Sequence, residues 1–174
     1  MSTSLFKQPK EDNIKHYYNT KMKVVLLSPG AKVPKRVNDY AAGYDLFAPK
    51  DSVVKPGRNL IPIDISIELD PHTEGEVRPC SGYSINGMKG FSLNDLKTEK
   101  RFDADVIIGT VDEDYRGVVG AIIKSYEDKP FVIKQGAKIA QLVVKNYIGK
   151  PFEIASELSK TERGSKGFGE LEHK

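Results

Sequence analysis

The chain has 174 residues, of which 39% are apolar and 29% are charged, and its net charge is +3. This length fits one domain with a real hydrophobic core, and the composition is typical of a globular protein rather than a disordered one. The balance of 27 basic and 24 acidic side chains is too even to indicate a nucleic-acid binder. No window approaches the roughly eighteen consecutive apolar residues of a membrane-spanning helix, so no membrane partner is predicted.

The beginning of the chain and its cysteine content restrict the cellular setting. Residues 1–21 are polar and aperiodic and lack the apolar stretch of a signal peptide, so they are expected to form a flexible N-terminal arm. Cys80 is the single cysteine, which excludes an intrachain disulfide, and three histidines make no Cys/His zinc cluster. A reducing intracellular compartment, cytoplasmic or nuclear, is therefore expected.

Residues 22–160 are predicted to form an all-β domain. Isoleucine and leucine alternate with polar residues over 59–69, which indicates one strand with a buried face, and Pro62 places that strand at a sheet edge or near a strand start. Residues 131–136 and 139–144 are predicted to be two strands around a glycine turn. Several short strands with hardly any helical period favour a β sandwich or jelly roll.

One segment interrupts the β pattern. Residues 85–102 are charged, and Ser92-Leu-Asn-Asp95 resembles a capping box before residues 96–100. A helix of one to two turns is therefore predicted there, on the surface. Beyond it, residues 161–174 are expected to form a flexible, glycine-containing C-terminal tail.

The densest group of polar side chains lies in residues 109–117. A strand, a tight turn and a second strand would present Asp112 and Tyr115 near the turn, where they could meet a ligand. An EF-hand calcium loop is excluded because Arg116 and Ile123 occupy two of its ligand positions. A paired-carboxylate glycosidase is possible in principle, but it needs a platform for its sugar and the chain has no tryptophan. What remains is a carboxylate that could position and deprotonate a water molecule.

Other segments carry residues suited to contacting phosphate. Residues 76–84 combine Arg78, hydroxyl groups and a glycine, although an ordinary turn is the alternative interpretation. Gln141 is an uncharged polar residue within an apolar run, where its amide must be hydrogen-bonded by protein or ligand. Arg163 and Phe168 stand among glycines, and this tail could close over a ligand or be an unstructured basic tail.

Five segments of the chain form an ordered set of motifs: AAGYDLFA (41–48), PCSG (79–82), GTVDEDYRG (109–117), GAKIAQL (136–142) and RGSKGFG (163–169). In order and spacing they resemble the five motifs of the trimeric deoxyuridine triphosphate nucleotidohydrolases (dUTPases). The similarity covers most of the chain, from about Met22 to Glu170.

The resemblance implies a distorted β jelly roll or β-clip fold that assembles as a homotrimer, with active sites at subunit interfaces and a C-terminal arm from another subunit in each. It implies hydrolysis of dUTP to dUMP and pyrophosphate, which supplies dUMP and limits uracil in DNA. Asp112 would activate the water that attacks the α-phosphorus. Mg²⁺ would bridge the triphosphate, and Asp45 would act on it only through water.

The resemblance also assigns the substrate contacts. Tyr115 would lie under the deoxyribose, the backbone at Gly109 would read the uracil, and Gly120 would let its strand pass close to the base. The phosphate contacts would come from Ser81, Gly82, Gln141 and Arg163, and Phe168, followed by Gly169, would cover the uracil.

Three departures from the family pattern bear on activity. Cys80 replaces an arginine, Glu170 replaces a hydroxyl residue, and residues 85–102 make the link between the second and third motifs about fifteen residues longer. Arg78 could reach the phosphate that the missing arginine would contact. The first two departures are expected to weaken catalysis, which leaves open a regulatory protein of the same fold that recruits a protein partner through 85–102. A dCTP deaminase relative or a nucleic-acid binder fits less well.

Overall fold

The computed structural model describes residues 21–167. The arm predicted at 1–21 lies outside the described residues except for its last position, as do Phe168, Gly169 and Glu170 of the tail. The described part contains thirteen strands and one short helix, so the all-β prediction is confirmed. No helix between residues 21 and 167 has the length and apolar character needed to cross a membrane.

The strands are short and follow one another closely along the chain. Their bounds are β1 Lys23–Leu26, β2 Gly43–Phe47, β3 Ser52–Val54, β4 Gly57–Pro62, β5 Ile65–Glu68, β6 Thr73–Arg78, β7 Met88–Ser92, β8 Asp95–Phe102, β9 Ala104–Ile107, β10 Gly109–Val111, β11 Gly120–Ser125, β12 Phe131–Ile133 and β13 Lys138–Asn146. The helix, α1, comprises Ser81–Asn86.

Four antiparallel sheets are formed, with the strand orders β1-β5, β10-β6-β13-β2, β4-β11-β9 and β3-β12-β7-β8. The strands on either side of the 109–117 segment belong to different sheets, since β10 pairs with β6 and β11 pairs with β4 and β9. The same holds for β12 and β13 around Gly136, whose φ of 79° is the left-handed conformation that glycine adopts most easily. Each glycine turn therefore carries the chain from one sheet to another.

The strand predicted over 59–69 is divided in two. β4 ends at Pro62 and β5 begins at Ile65, because Asp64 takes a φ of 55° that no strand accommodates. The alternating burial is nevertheless confirmed, since Ile61, Ile63, Ile65, Ile67 and Leu69 are all buried. Pro62 lies on an edge strand, as predicted.

The prediction of a helix over residues 96–100, after the capping box, is wrong, because this segment belongs to the β7–β8 hairpin. Asp95 does accept the backbone N–H groups of Lys97 and Thr98, but it does so in the turn that opens β8. At the far end of β8, Phe102 stacks on the buried Phe131 with ring centroids 4.4 Å apart. This packing and the pairing with β7 outweigh the helical propensity of a charged run.

The one helix follows β6 directly, where a loop was predicted at Ser81 and Gly82. The carbonyl of Cys80 accepts the N–H groups of Tyr83 and Ser84, and Gly87 ends the helix with a φ of 73°. The hydroxyl of Tyr83 donates to the carbonyl of Lys138 at 2.5 Å and fixes α1 against β13. Ser81 therefore stands on a braced element rather than on a free loop.

Candidate functional site

A row of polar side chains crosses the sheet of β2, β13 and β6. Gln141 on β13 lies opposite Asp45 on β2 and opposite Arg78 on β6. Residues that oppose one another in antiparallel strands project from the same face. A carboxylate, an amide and a guanidinium therefore lie side by side, each half-buried.

Lys138 joins this row because β13 is irregular. Residues three apart in a regular strand point to opposite faces, but the register shifts between Lys138 and Ala140. Ile139 and Ala140 are consequently both buried, and Lys138 and Gln141 are both half-buried. The Lys138 Nζ lies 3.5 Å from the Asp45 Oδ1.

A cavity of about 410 Å³ opens at the Arg78 end of this row. Arg78 also forms an ion pair with Glu76, with Nη1 3.3 Å from Oε2. A hydrogen bond from Lys145 lowers the pKa of Glu76, so this carboxyl remains ionised beside the guanidinium. The lining residues are Arg78, Pro79, Ser81, Ser84, Ile85, Ile108 and Gln141.

The amide of Gln141 is hydrogen-bonded, as predicted. Its Nε2 donates to the carbonyl of Pro79 at 2.9 Å, which ties β13 to the chain leaving β6. A Cβ on Gly43 would lie 2.1 Å from the Gln141 Oε1, so only glycine leaves room for this amide. Gly43, in the 41–48 segment, therefore makes room for the Gln141 side chain in the row.

Cys80 is half-buried between the row and α1. Burial raises the pKa of its thiol, the charge of Asp45 adds to that rise, and Lys138 acts against it. The thiol is therefore neutral at physiological pH. Lys138 is a nearby cation that the sequence does not predict, because a strand without the irregularity would turn Lys138 away from Gln141 and Asp45.

The 109–117 segment has the predicted form of a strand followed by a tight turn. Asp112 is exposed directly after β10, and its carbonyl accepts the N–H of Tyr115 at 3.1 Å. The Tyr115 hydroxyl donates to the carbonyl of Val118 at 3.1 Å, which holds the ring over Gly117. A Cβ at Gly117 would approach that hydroxyl to 2.4 Å, so a larger residue there would displace the Tyr115 ring.

Gly109 and Gly120 begin the strands on the two sides of this turn. Gly109 lies opposite Val77 at the start of β10, and Gly120 lies opposite Pro62 at the start of β11. A Cβ at Gly120 would approach Leu60 Cδ1 to 2.7 Å. Gly120 therefore lies close against the neighbouring strand β4, and its predicted approach to the base stays a prediction.

The row and the Asp112 turn lie at opposite ends of β6. Val111 pairs with Gly75, so Asp112 falls at the position opposite Glu74, whereas Arg78 ends the strand. Four residues of strand separate the two positions, which corresponds to about 13 Å of backbone. A single chain therefore unites Arg78, Ser81 and Gln141 but leaves Asp112 and Tyr115 apart from them.

Two further predicted residues are less constrained. Gly82 is exposed in α1, where its carbonyl accepts the side-chain amide of Asn86 at 3.1 Å. Arg163 is exposed, and its Nε donates to the carbonyl of Lys166 at 2.9 Å, in a segment where Gly164 has a φ of 59°. The tail segment thus bends back on itself at Arg163.

The described residues contain no group of three or more His, Cys, Asp or Glu side chains that could hold a metal ion by themselves. Asp45 is a single carboxylate and already faces Lys138. This set fits Mg²⁺ only where the ion arrives on a polyphosphate whose oxygens fill most of its shell.

The row presents two cations, an amide and a carboxylate on an all-β chain, with a cavity at its Arg78 end. Such an arrangement is typical of proteins that bind phosphorylated ligands. The family model described as dUTPase matches residues 30–92 and 99–171. The chain therefore belongs to the dUTPase family. The interruption of the match at 93–98 lies at the turn of the β7–β8 hairpin.

Relatives and solved structures agree with this assignment. The chain is 37% identical to the deoxyuridine 5'-triphosphate nucleotidohydrolase of Clostridium tetani, over 85% of this chain and 94% of the relative. It is 39% identical to the enzyme of that name from Gloeothece citriformis, over 86% and 94%. A variant of the Staphylococcus bacteriophage 80α dUTPase, solved with dUpNHpp, matches with a TM-score of 0.73 and 25% identity, over 87% of this chain and 98% of that one. The fold is therefore the predicted distorted jelly roll of the dUTPases.

Proposed function

We propose that this chain is a dUTP diphosphatase that hydrolyses dUTP to dUMP and pyrophosphate. The observation that carries this proposal is the family match across both the Asp112 turn and the Gln141 row. The turn retains the residues that the chemistry needs, with Asp112 exposed and Tyr115 fixed over Gly117. No observation favours a purely regulatory protein of the same fold.

Asp112 is the proposed base. Its carboxylate takes a proton from a water molecule while the water oxygen forms a bond to the α-phosphorus. The bond between the α-phosphorus and the bridging oxygen breaks, and pyrophosphate leaves with the electron pair. Tyr115 lies under the deoxyribose in this proposal, the backbone at Gly109 meets the uracil edge, and Gly120 lets the strand approach the base.

The row supplies the proposed phosphate contacts. Ser81, Gly82 and Gln141 contact phosphate oxygens, and Arg78 and Lys138 supply the positive charge that Cys80 lacks. Mg²⁺ bound with the triphosphate would stabilise its negative charge, and Asp45 would hold the ion through water. Arg163 contacts the γ-phosphate, and Phe168 and Gly169 cover the uracil when the tail closes.

The active unit is proposed to be a homotrimer whose sites lie between subunits. The separation of Asp112 from the row by about 13 Å of strand leaves one chain without a complete site. The segment after β13 also exposes large apolar side chains that a neighbouring subunit could cover. These are Ile148, Phe152, Ile154 and Leu158, each more than 80% exposed.

We also propose a reducing compartment, cytoplasmic or nuclear, for the activity, in keeping with a single cysteine.

The first prediction concerns the substrate. With Mg²⁺ present, pyrophosphate release is expected from dUTP and not, at equal enzyme concentration, from dCTP, dTTP or UTP, because Tyr115 excludes a 2′-hydroxyl and the Gly109 backbone reads uracil. A coupled assay of pyrophosphate with the four nucleotides measures this. Tight dUTP binding without turnover would contradict the proposed enzyme and support a regulatory protein.

The second prediction concerns the subunit interface. Asp112→Asn and the double variant Arg78→Ala, Gln141→Ala should each have little activity alone. After the two are unfolded, mixed in equal amounts and refolded, one site in each mixed trimer would be intact, so roughly a quarter of wild-type activity should return. Refolding each variant alone is the control. A mixture no more active than its components would place the whole site within one chain.

A further inference from the structure

Glu113 follows Asp112 in the turn, but the two side chains have different surroundings. Asp112 is exposed, whereas Glu113 is half-buried, and its Oε2 accepts the backbone N–H of His72 in a short hydrogen bond. The carbonyl of Glu113 accepts a further hydrogen bond from the Arg116 Nη1 at 2.7 Å. Glu113 is therefore bound on both its side chain and its backbone, while its neighbour is left free to meet solvent.

The partner of Glu113 is itself held in an unusual conformation. His72 takes a φ of 62°, which few residues other than glycine adopt, in the turn between β5 and β6. That turn is fixed by Thr73, whose N–H and hydroxyl both donate to the carbonyl of Asp70, at 3.2 and 2.6 Å. The His72 N–H is thus presented by a rigid turn rather than by a flexible one.

Tyr147 completes the contact from the end of β13. Its N–H donates to the carbonyl of His72 at 3.0 Å, and the two rings meet edge to face with centroids 6.4 Å apart. Burial raises the pKa of Tyr147, as do a hydrogen bond with Glu113 and the charges of Asp112 and Asp114. The tyrosine therefore lies beside the acidic turn and stays protonated as a donor at neutral pH.

We infer that Glu113 is a positioning residue for Asp112, held by the backbone N–H of His72, which Tyr147 in turn holds from the end of β13. This inference rests on the proposed function of Asp112 as the base. The two neighbouring residues, Asp112 and Glu113, therefore have different roles. Glu113 anchors the turn to the β5–β6 turn and to β13, which fixes the backbone from which Asp112 projects towards the water.

The test compares Glu113→Ala, Glu113→Gln and Tyr147→Phe in the full chain with dUTP and Mg²⁺. Glu113→Ala should lower kcat by roughly 10- to 100-fold, because a base displaced by about an ångström loses a factor of this order. The KM for dUTP should change less than kcat, since the phosphate contacts come from the row at the other end of β6, which Glu113 does not touch. Glu113→Gln keeps an oxygen acceptor for the His72 N–H and should recover most of kcat.

Tyr147→Phe removes only the hydroxyl and should lower kcat less than Glu113→Ala does. Adding it to Glu113→Ala should lower kcat no further, because both changes release the same contact. Glu127→Ala is the matched control, since the Glu127 Oε1 likewise accepts a backbone N–H, from Asp103 at 2.6 Å, far from the Asp112 turn. Its kcat should equal that of the wild type.

Three outcomes would overturn the inference: an unchanged kcat in Glu113→Ala, a rise in KM that accounts for the whole loss, or an equal loss in Glu127→Ala. If Glu113→Ala does not fold, Tyr147→Phe decides, because a folded Tyr147→Phe chain with full kcat would leave no role for the contact between Glu113 and Tyr147. Failure of the proposed function is distinguished by the wild-type chain, which would then not hydrolyse dUTP at all.

Discussion

Asp112→Asn is expected to lower kcat for dUTP by roughly 10²- to 10⁴-fold, the range that a well-placed general base contributes. The amide has nearly the same shape as the carboxylate but does not take a proton from water. Because Asp112 is exposed and makes no described side-chain hydrogen bond among residues 21–167, the substitution should not disturb the turn. Steady-state pyrophosphate release measures kcat, and the KM should change little.

Asp114→Asn is the matched control for this experiment. Asp114 is exposed in the same turn, two residues along, and its charge, like that of Asp112, acts on Tyr147. The two variants therefore remove the same charge from the same neighbourhood, and only one removes the proposed base. Equal losses in both variants would mean that the turn needs its negative charge rather than a base at Asp112.

The parts of this molecule that the sequence predicts are those governed by local patterns. The alternation over 59–69 gives the buried face correctly because burial of isoleucine dominates that segment. The 109–117 turn is predictable because its polar residues stand together between two glycines, next to an apolar run. The break between β4 and β5 at Asp64 is not predictable, since no local sequence pattern indicates an aspartate in the left-handed conformation inside an apolar alternation.

The hairpin at 88–102 shows why the remaining elements were not predictable. Its second strand is charged and largely exposed, so neither propensity nor periodicity marks it as a strand. It is a strand because β7 pairs with it and because Phe102 stacks on Phe131, which lies some thirty residues further along the chain. The short helix formed instead at Ser81–Asn86, where the Tyr83 hydroxyl reaches a carbonyl of β13.

The phosphate row depends on the same kind of long-range contact. Asp45, Arg78 and Gln141 come from three strands far apart in sequence, and only the register of the sheet brings them together. Lys138 joins them through the irregularity at Ile139, which the sequence does not reveal. The sequence shows a cysteine at position 80 where the resemblance implies an arginine. Of the two cations in the row, the sequence indicated Arg78 but not Lys138.

Arg78→Ala and Lys138→Ala are each expected to raise the KM for dUTP, because each removes a cation from the row. A charge-assisted phosphate contact contributes about 1.5 to 3 kcal/mol, or roughly 10- to 200-fold. The lower end applies here, since both side chains are about two-fifths exposed and each already faces a carboxylate, Glu76 or Asp45. The double variant should therefore lose about 100-fold in kcat/KM, and the loss should shrink at high salt.

Restoring the missing arginine makes this prediction specific. Cys80→Arg in the Arg78→Ala background places a guanidinium beside the row again and should recover much of the lost affinity, measured as KM for dUTP. Lys134→Ala is the control, because Lys134 forms a comparable ion pair, 2.8 Å from Asp51, away from the row. If Arg78→Ala leaves both KM and kcat unchanged, Arg78 does not replace the missing cation. If Cys80→Arg then raises affinity in the wild-type background alone, the chain lacks a phosphate contact at position 80.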